Sequence, residues 1–237
     1  MLLLAATMLQ MVRAETVTVY TNASFAPLVI DARTGLYPET VAYLNRLKIE
    51  GLDFKLNTMP TKRLRLLLDS GQLDGIVIGM TPEWFDDAAQ RKYLWTQPFF
   101  RDAFVLVSKS IQPIFTGQLT PGRVLKIGVT RGYVYPGIDE WIDQHKMLWD
   151  EALTEEGNLH KLMRDRIDAV VVSESVLRFY VKGKQFPDGL IVEGLPGRPT
   201  ERRMLIPRSK QYVFDKLAPV FEQLQSDPAW QALVGRF

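Results

Sequence analysis

Backbone and hydroxyl groups that could contact a ligand follow an apolar run in the first third of the chain. The run at residues 76–78, Ile-Val-Ile, does not alternate with polar residues, which is typical of a parallel strand covered on both faces. Gly79, Met80 and Thr81 follow it directly, and we expect them at the carboxyl edge of a sheet, where open α/β folds bind their ligands. Thr81 with the proline and glutamate after it predicts a capped helix start.

A second copy of this pattern lies in the latter half of the chain. Residues 167–175 match residues 73–81 in type, from the apolar residue and aspartate that open each run to the hydroxyl residue that closes it. The apolar segments that precede the two copies, residues 17–21 and 125–130, also correspond. Two matches in the same order predict two α/β lobes of similar design.

The remaining patterns complete the predicted organisation. Alternating strand and helix signals over residues 16–78 indicate a βαβαβ order, the plan of a doubly wound sheet. Residues 103–107 predict a strand that leaves the first lobe, residues 202–207 a return strand, and residues 212–224 an amphipathic helix against the first lobe. We therefore predict an α/β fold: a first lobe from 15–107 and 203–237, a second from 108–202, and a two-segment hinge near 106–110 and 204–209.

The composition is that of an ordinary globular protein. Apolar residues make up 46% of the 237 residues, and the formal net charge of +2 gives no indication of nucleic-acid binding. The absence of cysteine excludes disulfides, thiolate metal sites and a lipid-modified cysteine. Residues 1–14 are mostly apolar and are interpreted as a secretory signal peptide, with a buried N-terminal helix as the alternative. An exported chain without a lipid anchor is expected to be periplasmic.

Five landmarks resemble one family, the extracellular solute-binding proteins of family 3, which are periplasmic receptors of polar amino acid importers. These landmarks are SFAP at residues 24–27, LDSGQLDGIVIGMT at 68–81, WTQPFF at 95–100, IGVTRG at 127–132 and RIDAVVV at 166–172. The resemblance covers nearly all of the chain after the predicted signal peptide. It implies a type II periplasmic binding protein fold, whose two lobes close around a small polar molecule and present it to the membrane permease of an ABC importer.

The resemblance also implies a set of ligand contacts. In the first lobe these are Phe25, whose ring can cover an apolar or cationic group, the backbone of Gly79 and Met80, and the hydroxyl of Thr81. In the second lobe they are Thr130, Arg131 and Gly132, where amides after a strand can cradle an anion.

Both halves of the family's amino acid clamp depart from the pattern. The family's arginine for the ligand carboxylate, on the helix after the central strand, aligns with Asp86. The acid for the ligand ammonium, at the end of the second-lobe strand, aligns with Ser173, and Glu174 lies next to it. Arg63 and Arg131 remain as candidate anion anchors.

These observations favour a monomeric receptor that binds an amino acid or a related small anion, without a cofactor, a metal or catalysis. One alternative is an enzyme similar to the periplasmic cyclohexadienyl dehydratases, with Glu174 as a general acid whose pKa burial would have to raise. Another is a ligand-presenting subunit of a sensor. The chain has no H-E-x-x-H, phosphate-loop or G-x-S-x-G pattern that would indicate other catalytic chemistry.

Overall fold

Eleven strands form two sheets in the computed structural model, which describes residues 14–117, 124–133, 135, 138–144, 147–186, 189–195 and 199–237. The strands are β1 (Glu15–Thr21), β2 (Leu52–Thr58), β3 (Ile76–Met80), β4 (Leu94–Trp95), β5 (Phe100–Asp102), β6 (Phe104–Lys109), β7 (Lys126–Thr130), β8 (Leu148–Ala152), β9 (Ala169–Ser173), β10 (Leu190–Gly194) and β11 (Thr200–Ile206). The first sheet has the order β2-β1-β3-β11-β4, with β5 also paired to β11, and the second has the order β10-β6-β9-β7-β8.

Seven α-helices connect and cover the sheets in the described ranges. They are α1 (Leu36–Arg46), α2 (Thr61–Asp69), α3 (Asp139–Gln144), α4 (Glu155–Met163), α5 (Glu174–Lys182), α6 (Gln211–Gln223) and α7 (Pro228–Val234). Short 3-10 turns cover Pro82–Phe85, Arg208–Lys210 and Leu224–Ser226. The predicted C-terminal amphipathic helix is confirmed as α6, whose Val213, Leu217 and Phe221 belong to the same core as β1 and β3.

The apolar run of β3 packs on both faces, as its lack of alternation predicts. Ile76 and Ile78 join one core, and Val77 joins a second core on the opposite face with Leu64 of α2 and Leu205 of β11. All three residues of the run are fully buried, and burying such side chains stabilises the fold by about 1.5–3 kcal/mol each. The strand is parallel to β1 and antiparallel to β11.

The second sheet repeats this design. Val170 and Val172 of β9 join one core and Val171 joins another on the opposite face. In both sheets a central strand, β1 or β7, pairs in parallel with the two strands that follow it in its lobe. An antiparallel strand then extends each sheet: β11 pairs with β3 in the first sheet, and β6 pairs with β9 in the second. The predicted two-lobed α/β architecture is therefore confirmed.

The chain passes between the sheets at positions that differ from those expected. The strand β6 pairs with β9 and β10, so the second sheet begins at Phe104, and β11 joins the first sheet from Thr200. The predicted lobe boundaries at 107 and 203, and the predicted hinge segments near 106–110 and 204–209, fall mainly within these two strands. The chain passes between the sheets from β5 to β6 and from β10 to β11. An apolar strand looks the same in either sheet, and only its pairing decides to which sheet it belongs.

The segment after Thr81 forms a four-residue 3-10 turn where a capped helix was expected. Asp86 ends this turn in the left-handed conformation, with φ of 52°. The buried carboxylate of Asp87 then accepts hydrogen bonds from the amides of Arg91, Lys92 and Tyr93 and from the Trp95 indole, which orders the loop.

The predicted signal peptide lies almost wholly outside the described residues, which begin at Ala14. Within the described ranges, the helices are all too short or too polar to cross a lipid bilayer.

Candidate functional site

The first lobe places a buried guanidinium at its boundary with the second lobe. Arg202, near the start of β11, is 7% exposed. Its Nη1 donates long hydrogen bonds of 3.3 Å to the Tyr37 hydroxyl and the Gly79 carbonyl, and its buried Nε has no partner. Its Cζ lies 5.6 Å from the centre of the Trp84 ring. Burial lowers the pKa of Arg202, but nearby groups, Tyr37 and Asp102 foremost, more than offset this, so the side chain stays charged.

The position of Arg202 depends on a glycine in β3. Gly79 has φ of 81°, and a Cβ atom there would lie only 2.0 Å from the Tyr37 hydroxyl. The missing side chain therefore leaves the space in which Tyr37 and the guanidinium meet. Burial raises the pKa of Tyr37, so its hydroxyl is neutral and can accept from Arg202.

The second lobe places a buried carboxyl group at the first residue of α4. The hydroxyl of Thr154 accepts from the amide of Gly157 at 3.0 Å and so caps the helix, which begins at the next residue, Glu155. Glu155 is 3% exposed, and its Oε1 accepts from the amide and hydroxyl of Ser173 at 2.7 and 2.8 Å. Its buried Oε2 has no partner. Burial raises the pKa of Glu155 to about 7, against the hydrogen bonds from Ser173.

The two buried charged groups are not paired with each other. No ion pair among the described residues includes Arg202 or Glu155. Each still influences the pKa of the other, so they face a common region. Burying ionisable groups without partners costs several kcal/mol, and a ligand with complementary groups would recover that cost.

Aromatic and hydroxyl side chains surround this region. Phe25, in the loop after β1, packs against cores of both lobes. Tyr133, in the loop after β7, has its pKa raised by burial and further by the charge of Glu155. The hydroxyl of Thr130, at the end of β7, is buried without a partner. The strand ends of both lobes thus supply the walls of the site.

A hydrogen-bonded junction lies beside the site at the first crossing. The Asp102 carboxylate accepts from the Ser175 hydroxyl at 2.6 Å and from its amide at 3.2 Å, which ties the end of β5 to the start of α5. Ser175 is two residues after Ser173, so one helix start contacts both the crossing and Glu155.

The structure brings some of the predicted ligand contacts together. The Gly79 carbonyl contacts Arg202, and Ser173 contacts Glu155. Phe25 packs against cores of both lobes, and the Thr130 hydroxyl is buried without a partner. Two others are buried but already engaged: the Met80 side chain packs in the core of the first lobe, and the Thr81 hydroxyl donates to Glu83.

The charged residues predicted as anchors lie elsewhere. Arg131 is paired with Glu151 at 2.9 Å with most of its side chain exposed, and Glu174 is paired with Arg178 of its own helix at 2.8 Å. Arg63 and Gly132 are exposed.

Arg202 and Glu155, together with Tyr37, were missed by sequence reasoning. A glutamate after a threonine cap looks like an ordinary first-turn acid, so nothing in the sequence distinguishes Glu155 as a functional residue. Arg202 does carry a signal, because burial alternates over residues 201–204 and places it on the same side as the fully buried Met204. A charged residue on the buried side of a strand indicates a functional or structural partner.

Solved structures with this fold cover most of the chain. An ancestral arginine-binding protein bound to arginine is 18% identical with a TM-score of 0.68, over 93% of this chain and 97% of that one. The substrate-binding protein of an amino acid ABC transporter is 20% identical with a TM-score of 0.66, over 94% and 98%. The GluR0 ligand-binding core of Nostoc punctiforme, in complex with L-glutamate, is 17% identical with a TM-score of 0.68, over 93% and 97%.

These likenesses confirm the predicted type II periplasmic binding protein fold, and the neighbours belong to the kind of amino acid binding protein that the landmarks resemble. No protein-family model matches the chain, and no curated protein matches it.

Proposed function

We propose that this chain is a periplasmic solute-binding receptor that closes around an amino acid or a related small anion and delivers it to an ABC importer. The observation that carries the proposal is the pair of buried ionisable groups without an ion-pair partner, Arg202 from the first lobe and Glu155 from the second. The fold, which it shares with binding proteins for arginine and L-glutamate, supports the same conclusion.

The two anchors replace those that the sequence lacks. Arg202 takes the role of the arginine that Asp86 displaces, and its free Nε can donate to a ligand carboxylate. Glu155 takes the role of the acid missing at Ser173, and Ser173 holds it in place. Because the anchors belong to different lobes, a ligand that contacts both stabilises the closed arrangement by its differential affinity.

A thermal-shift screen tests the receptor directly. Amino acids, polyamines, small carboxylates and phosphorylated metabolites are each added to the mature protein. A ligand at a hundred times its dissociation constant stabilises the protein by about 2.7 kcal/mol, which moves the unfolding midpoint measurably. We expect at least one amino acid or small carboxylate to stabilise the protein and to lose this effect with Arg202→Met. A panel without any stabilising compound contradicts the proposal.

A second candidate function is dehydration by general acid catalysis. The buried carboxyl group of Glu155, with its pKa raised to about 7, has the property that the exposed and paired Glu174 lacks. Glu155 would donate its proton to the leaving hydroxyl group, whose C–O bond breaks to release water, while the ring carboxylate leaves as carbon dioxide and its C–C bonding electrons form the new double bond. Turnover of prephenate or arogenate that is lost in Glu155→Gln and kept in Glu156→Gln supports this function, and the absence of turnover in the wild type excludes it.

The subunit of a sensor shares the binding site of the receptor and differs only in its partner. Pull-down with the permease of an importer, in the presence and absence of the stabilising compound, distinguishes the two.

A further inference from the structure

The Glu155 carboxyl group has room for one more interaction, and its surroundings restrict what that interaction can be. Both donors of Ser173 go to Oε1, so Oε2 is left buried and unpartnered. A buried oxygen of this kind either carries a proton or meets a cation, because a bare carboxylate oxygen away from water is costly. Among the described residues no ion pair reaches it, so in the ligand-free protein it holds a proton below neutral pH.

We propose that Glu155 binds the ammonium group of the ligand in exchange for its own proton, so that each ligand bound below neutral pH releases one proton to the solvent. This inference rests on the proposed function, and it adds a regulation of the same site. The exchange balances, since the O–H bond of the carboxyl group breaks, the proton passes to the buffer, and the ammonium donates to the carboxylate that remains.

The titratable groups that face Glu155 agree with a protonated free state. Asp102 of β5 acts as a like charge and raises the pKa of Glu155, while Arg202 of β11 lowers it. Tyr133 and Tyr180 also sense its charge, and burial keeps both of them neutral. Burial has the largest effect and brings the pKa of Glu155 to about 7. A ligand ammonium would supply the cation that lowers it again.

Calorimetry on the wild-type protein measures the released proton without any variant. The twenty proteinogenic L-amino acids are screened at 1 mM, and those that bind are titrated in phosphate and in Bis-Tris, whose ionisation enthalpies differ. With half-protonation near pH 7, we expect about 0.9 proton released per ligand at pH 6 and about 0.1 at pH 8. The affinity should weaken about 30-fold between pH 8 and pH 5.5.

Two variants test whether Glu155 is the group that releases the proton on ligand binding. Glu155→Gln should remove both the proton release and the pH dependence of affinity. Glu156→Gln is the matched control, because its carboxylate is half-exposed and pairs with His160 on the same helix. It should leave both unchanged. If Glu155→Gln binds too weakly for calorimetry, carbon-13 titration of the Glu155 carboxyl group in the free wild type makes the assignment.

The outcomes separate the inference from the proposed function. Binding that releases less than about 0.2 proton at pH 6 overturns the proton exchange and leaves the receptor intact. A Glu155 midpoint near 4.5 in the free protein overturns it too, since that is the ordinary value for the group. The absence of binding by every amino acid at every pH overturns the inference, and the proposed function then depends on the other compounds of the thermal-shift panel.

Discussion

Gly79 in the first lobe and Ser173 in the second occupy the same position of the repeated pattern, and each holds the charged anchor of its own lobe. Gly79 accepts from Arg202 through its carbonyl group. Ser173 donates its amide and its hydroxyl to Glu155. One position therefore supports a cation in one lobe and an acid in the other, because the backbone offers both an acceptor and a donor.

The difference lies in where the anchors come from. Arg202 reaches Gly79 from the antiparallel strand β11, 123 residues away, whereas Glu155 reaches Ser173 from the preceding helix, 18 residues away. In the first lobe the equivalent helix α2 turns its Arg63 to solvent. The two lobes therefore share the same order of strands, but the ionisable side chain comes from a strand in the first lobe and from a helix in the second. The following changes test how far the two positions correspond, from the largest expected effect to the smallest.

Replacing Gly79 by alanine should have the largest effect. Alanine must adopt φ of 81° and place its Cβ 2.0 Å from the Tyr37 hydroxyl, so Tyr37 has to move and Arg202 loses that hydroxyl as an acceptor. Left-handed strain and overpacking together suggest a loss of about 4 kcal/mol in the free energy of unfolding. Urea denaturation measures this. Gly194→Ala is the control, because no atom lies within 4 Å of the Cβ it would add.

The pH dependence of the free energy of unfolding tests Glu155, the residue that Ser173 contacts in the second lobe. Between pH 4.5 and about 7 the folded chain keeps a proton on Glu155 that the unfolded chain has lost, so stability falls as the pH rises. The shift corresponds to roughly 3 kcal/mol over this range. Thermal unfolding at a series of pH values should show this decline in the wild type and in Glu156→Gln, and a flatter profile in Glu155→Gln. Equal profiles in all three would exclude Glu155 as its origin.

Replacing Arg202 by methionine separates binding from stability. The ligand loses a charge-assisted hydrogen-bond donor, so its affinity should fall by about 2 kcal/mol, or roughly 30-fold. The free protein should lose little stability, because Arg202 has no ion-pair partner and only its two 3.3 Å hydrogen bonds are removed. Calorimetry and thermal unfolding measure the two effects. Arg101→Met, which breaks only an exposed pair with Glu201, is expected to change neither. A large loss of stability would assign Arg202 a mainly structural role.

Replacing Ser173 by alanine should have the smallest effect, in contrast to alanine at the equivalent Gly79. Only the 2.8 Å hydroxyl bond to Glu155 is lost, while the amide bond remains. The free energy of unfolding should fall by about 1 kcal/mol. The hydroxyl bond lowers the pKa of Glu155, so its removal should shift the stability profile to higher pH. A loss as large as that of Gly79→Ala would mean that the two positions are equally constrained.

Much of the architecture could be predicted because it depends on local patterns. The unbroken apolar runs at residues 76–78 and 170–172 require strands covered on both faces, and their repetition with the preceding strands requires two similar lobes. The strand ends therefore had to lie at two sheet edges, which predicts Gly79 at such an edge, whereas Phe25, Thr130 and Ser173 were predicted from the family resemblance. The crossing points and the 3-10 turn after Thr81 were not predictable in this way, since pairing partners and the loop around Asp87 decide them.

By itself, the sequence determined the two α/β lobes, the edges at which a ligand would bind, and the absence of the usual anchors at Asp86 and Ser173. Only the tertiary structure decided that Arg202 and Glu155 are buried at these edges without an ion-pair partner. The physical reason is distance along the chain: Arg202 contacts Tyr37, which is 165 residues away. Side chains so far apart in sequence meet because separate elements pack together, and no local pattern of residues records that meeting.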